Sequence, residues 1–98
     1  MHLETFSRYL ALVRSFPVMQ HAPSRALSSG GIDLQALDAW GAASGSPSTR
    51  LTVSFVLNVW SSSEPWLCGR FDLFEALIAW DEGQRRAFGQ WAADPWRP

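Results

Sequence analysis

The chain has no lysine, one cysteine and only two histidines among its 98 residues, and each scarcity removes a class of function. Cys68 has no partner for an internal disulfide, whereas secreted domains of this size usually depend on several, so a reducing, cytoplasmic setting is expected. The usual phosphate-binding loop ends in Gly-Lys-Ser/Thr and cannot exist without lysine. His2 and His21 stand apart from each other and from Cys68, so the sequence offers neither a His-Glu-x-x-His nor a Cys-x-x-Cys set for a metal ion. No Gly-x-Ser-x-Gly elbow is present to present a nucleophile to a base. The sequence therefore gives no catalytic, cofactor or metal residue to name, and the expectation is a protein without cofactor or enzymatic activity.

Neither positive nor negative charge is in marked excess. The formal net charge is -1, which lacks the electrostatic footprint of a protein that lives on nucleic acid or anionic lipid. All eight basic residues are arginine, which selection for forked hydrogen bonding to carboxylate or phosphate would explain; because Ala, Gly, Pro, Arg and Trp all use GC-rich codons, a high-GC bacterial genome would produce the same bias without any function and is the favoured expectation. Long apolar runs are absent too. The longest uncharged stretch, Leu51 to Ser63, is too short to span a bilayer, and Glu4 precedes any apolar run at the N-terminus, so no membrane partner is expected.

What the chain does have is apolar mass: 47% hydrophobic residues, with six Trp and six Phe. That is enough to offset the ordering entropy of one domain over residues 1–98, and the length leaves no room for a second core. Leu3, Phe6, Tyr9, Leu10 and Val13 recur at helical spacing, which predicts an amphipathic helix ending near Ser15, since Pro17 disfavours helical geometry at Phe16. Residues 17–31, with two Pro and Gly30-Gly31, predict a connection holding at most a short helical turn. Asp33 is placed to cap a second helix bearing Leu34, Leu37 and Trp40 that ends at Gly41 to Gly45. Ser46-Pro47 reads as an N-cap followed by proline at the first helical position.

The segment Leu51 to Trp60 is ambiguous, because Leu51, Val53, Phe55, Leu57 and Val59 alternate as a strand would. Helix is the expectation here, since no second alternating run exists to pair with a strand inside the chain; a strand would have to pair across a dimer. Asp72 with Glu75, and Asp81 with Gln84, have capping-box spacing and predict helices over about 73–80 and 82–93, the second stopped by Pro95. Gly89, in the middle of that last helix, suggests a close helix crossing. The expected fold class is thus all-α, a bundle of about five short helices, with an α+β alternative if residues 51–60 form the strand.

Two segments echo each other: Ala36-Leu37-Asp38-Ala39-Trp40 and Ala76-Leu77-Ile78-Ala79-Trp80. A duplication of helical hairpins would explain them, as would chance in Ala- and Leu-rich helices. Glu64-Pro65-Trp66 and Asp94-Pro95-Trp96 form a second echo, where proline stops a helix and the ring either seals its end or stays out as an anchor. The stretch carrying Phe71-Asp72-Leu73, Trp80-Asp81-Glu82 and Asp94-Pro95-Trp96 resembles the C-terminal part of small uncharacterised bacterial proteins. It covers about a quarter of the chain, and that resemblance implies no activity.

Abundant Trp without any catalytic set points to a module that binds another protein, or itself as a homodimer, through Trp66, Trp96 and Arg97, with Arg70, Arg85 and Arg86 as further contacts. The alternative is a small nucleic-acid-associated regulator using the Arg85-Arg86 pair. Nucleic acid is the less favoured partner, because Asp81 and Glu82 stand one helical turn before that pair and neutralise it.

Overall fold

Four of the helix starts implied by the sequence are capped in the expected way. In a computed structural model, which describes residues 2–98 and side chains from Glu4 onward, the Asp33, Ser46, Asp72 and Asp81 side chains accept from Ala36, Thr49, Glu75 and Gln84 N–H groups at 3.0–3.3 Å. Each cap satisfies an amide that the helix cannot, which contributes about 1 kcal/mol. The places expected for the His2 and Leu3 side chains lie outside the described residues. Five α-helices result among them: α1 (His2–Ser15), α2 (Leu34–Ala43), α3 (Pro47–Trp60), α4 (Leu73–Ala79) and α5 (Glu82–Ala93). The fold is all-α in the main, as expected. None of these helices is long and apolar enough to cross a membrane.

The capping boxes are only half formed. Gln84 does not bond back to the Asp81 amide; its side-chain nitrogen donates to the Asp81 carboxylate at 2.7 Å, and its carbonyl oxygen accepts from Val18 N–H at 3.1 Å. It therefore ties the start of α5 to the 3-10 turn Pro17–His21. The connection 17–31 holds more structure than its composition suggested. After the turn, β1 (Leu27–Ser28) and β2 (Gly31–Ile32) form a small antiparallel hairpin with Leu27 opposite Ile32. Arg14 donates to the Ser28 carbonyl, and Asp33 N–H donates to the Ala26 carbonyl. Strands of two residues have no periodicity for a sequence to display.

Residues 51–60 are helical, and the helix is buried on every side rather than along one stripe. Every residue from Leu51 to Leu57 is buried, together with Val59. Alternation of apolar residues carries no strand meaning in such an element, because no face of it needs to be polar. The polar groups this burial takes from water all find partners. Trp80 Nε1 donates to Thr52 Oγ1 at 2.8 Å, Thr52 donates on to the Ser48 carbonyl, and the Tyr9 hydroxyl donates to the Val56 carbonyl at 2.6 Å. No buried side-chain nitrogen or oxygen among the described residues is left without a partner. Phe55 is the aromatic hub: its ring meets those of Phe16, Phe71, Phe88 and Trp91 at centroid distances of 5.1–5.6 Å.

The close crossing expected at Gly89 lies elsewhere. A methyl group at Gly89 would meet open space, whereas one at Gly41 would sit 2.7 Å from Val53 Cβ and 2.8 Å from both of its methyl carbons. α2 ends at Ala43, within the expected span of Gly41 to Gly45, and uses the missing side chain at Gly41 to lay its backbone against α3. Because Val53 is β-branched and buried, it cannot rotate away from an added methyl. The expected consequences are of opposite sign. Gly89→Ala should gain up to ~1 kcal/mol in urea unfolding from helix propensity alone. Gly41→Ala should lose about 1–2 kcal/mol net despite the same propensity gain, because overpacking outweighs it; adding Val53→Ala should recover part of that loss specific to the pair.

Candidate functional site

The repeated pentapeptides show where the chain departs from a closed core. Leu37 is fully buried in α2, while its counterpart Leu77 in α4 is 41% exposed. Asp38 is buried, and its counterpart Ile78 is 86% exposed. The two helices therefore present different faces to the core, and the echo does not extend to packing. In α4 only Ala76 is buried, with Trp80 beneath its C-terminal end. Phe74 is 81% exposed and Leu73 39%, so four large apolar side chains occupy one continuous arc of a short helix, with no charged residue between them.

Beside this arc lies an apolar groove of about 350 Å3, walled by Phe55, Val59, Phe71, Phe88 and Trp91, with Leu73 shared between groove and helix face. Arg97 stands at its rim. Its guanidinium donates to the Val59 and Asn58 carbonyls at 3.3 and 3.1 Å, closing the C-terminal end of α3 where the free carbonyls concentrate negative charge. Arg70 is exposed in an adjoining depression formed with Asn58, Ser62 and Phe71.

The groove wall depends on a residue that the sequence does not advertise. Asp38 lies buried in α2, and its two carboxylate oxygens accept from Leu67 N–H at 2.8 Å and Cys68 N–H at 3.0 Å. Ser54 and Asn58 of α3 both donate to the Gly69 carbonyl at 3.0 Å. These four bonds pin the loop that delivers Phe71 against Phe55, and Gly69 itself turns with φ +78°, a conformation that favours glycine. Leu67 is 73% exposed on the same loop, while Cys68 points inward. Burial, and after it the neighbouring Asp38, push the Cys68 thiol up to about 12, so it is not an activated nucleophile.

The anchors expected at Trp66 and Trp96 are used inside the chain. Both rings are half-buried and fold back: Trp66 Nε1 donates to the Ser61 carbonyl at 2.8 Å, and Trp91 Nε1 donates to the Trp96 carbonyl at 3.0 Å. Arg8 of α1 lies over the Trp96 ring, 4.3 Å from its centroid. Of the arginines, Arg70 and Arg97 adjoin the groove. Arg85 and Arg86 are exposed near the start of α5, where Arg86 pairs with Glu82 at 2.7 Å. Sequence reasoning missed Asp38, named only as part of the repeated pentapeptide, and it missed the α4 face. A signal for the latter existed: in the seven-residue α4 only Glu75 is polar, so Ala76 and Ala79 on one side and Leu73, Phe74, Leu77 and Ile78 on the other make the helix apolar too widely for one buried stripe.

These residues make up a small, mostly helical protein with an uncovered apolar helix face. No protein-family model matches the chain, and neither a curated protein nor a solved structure was found to match it.

Asp38→Asn replaces one acceptor oxygen with a donor that faces an amide, so about 2 kcal/mol of stability should be lost in urea unfolding. Native wild-type protein should resist iodoacetamide at Cys68 near pH ~8, and the variant should react measurably faster as the loop opens. The thiol also sets a pH dependence: its contribution to stability is complete below pH 9.0, the ordinary value the thiol has in the unfolded chain, and is lost as pH rises toward about 12.

Proposed function

We propose that this chain is a non-catalytic binding module of the bacterial cytoplasm that docks another protein, or a second copy of itself, on the outer face of α4 and the groove beside it. The observation that carries this reading is the exposure of Phe74 and Ile78, each more than four-fifths open on the same helix. Single exposed apolar residues are ordinary on protein surfaces, but a contiguous set with a groove at its edge marks an interaction surface. The reading keeps the protein-binding role inferred from the abundance of Trp and moves its centre from Trp66 and Trp96 to α4. Arg70 and Arg97 remain in it, as polar groups at the rim. The reducing setting agrees with a buried, unpaired Cys68.

A photo-reactive amino acid at position 78, compared with one at the exposed position 90 of α5, tests this in the cells that make the protein. Adducts of defined mass should form from position 78 and not from position 90. No adduct from either position, or the same adducts from both, contradicts the reading.

A further inference from the structure

The α4 face and the groove beside it form the two halves of one joint. Phe74 and Ile78 make a convex apolar knob, and the groove is a concave apolar hole large enough for a phenyl ring and its neighbours. Both meet at Leu73, which is exposed on α4 and also lines the groove. A foreign partner would have to supply a matching hole and a matching knob at this same spacing. A second copy supplies both by symmetry, since in a two-fold interface residue i meets j while j meets i.

Resting on the binding role proposed above, we propose that the occupant of this face is a second copy of the chain. The two copies form an isologous dimer in which Phe74 of each enters the groove of the other, between Phe71, Phe88 and Trp91. The two-fold axis passes near Leu73, so the pairing closes on itself instead of propagating into a filament. The rims agree in charge. Glu75 is exposed on the knob-bearing helix, and Arg97 and Arg70 border the groove that receives it. Pairing covers the exposed parts of Leu73, Phe74, Leu77 and Ile78 on both copies together with the groove walls, a small interface that gives a dimer dissociating on dilution.

Sedimentation velocity on the full chain, from low micromolar to several hundred micromolar, tests the proposal. Wild type should pass from monomer to dimer across that range. Phe74→Asp and Ile78→Asp should each raise the dimer dissociation constant by about thirtyfold or more, with far-UV circular dichroism unchanged because both side chains are exposed. Gln90→Asp on α5 should sediment as wild type. A photo-reactive group at position 74 should link to the 88–91 segment of the other copy. A monomer at every concentration overturns the proposal, as does a dimer indifferent to both α4 variants or a cross-link mapping away from the groove. If the chain is monomeric but position 78 still gives adducts with a different protein, the dimer fails while the binding role stands; without any adduct, both fail.

Discussion

The structure is governed by the burial of α3 on all sides. A helix that shows no face to water must have every hydroxyl and every spare carbonyl met from within, and must be enclosed by elements that are themselves too short to be stable alone. The rest of the chain answers these demands in turn. The α2 backbone closes on Val53 through Gly41, Trp80 reaches Thr52, Tyr9 reaches the Val56 carbonyl, and Arg97 covers the last turn. Phe55 then collects rings from Phe16 just past α1, from the loop before α4 and from α5 into a single aromatic cluster.

The same demand explains why α4 is left open. Seven residues make barely two turns, and the core uses this helix mainly to place Ala76 against α3 and to deliver Trp80 from its C-terminal end. Once that narrow side is committed, Leu73, Phe74, Leu77 and Ile78 have nowhere inside to go. The groove arises by the same logic, since Phe71 and Phe88 lean on Phe55 without closing over it. An apolar helix beside an apolar groove follows from how one central helix is wrapped, and it gives the molecule a surface suited to a partner.

Helix positions were legible because they are written in local chemistry: Asp33, Ser46 with Pro47, Asp72 and Asp81 each satisfy amides within three residues. The choice of helix for residues 51–60 was legible by elimination, as no strand partner existed. Several features were not legible, for related reasons. The 27–32 hairpin is too short to show a period. Asp38 resembles a solvated side chain until the loop bearing Leu67 and Cys68 is laid over it. The near-complete apolar surround of α4 tells that some side must face something, but not which side this chain covers. Trp60, at the C-terminal end of α3, likewise ends 39% exposed, with the Tyr9 ring centroid 5.0 Å from its own. The expected crossing at Gly89 proved to be at Gly41, since a glycine signals a close approach only where another element is present to make it.

Native-state amide hydrogen exchange tests the governing constraint most directly. With α3 enclosed on every side, the amides of residues 51–59 should exchange only through global unfolding and be the slowest in the chain, while α4 exchanges through smaller, local openings. Exchange from residues 51–59 as fast as that from α4 would show that α3 is not the enclosed centre of the molecule, and the arrangement built around it would not stand.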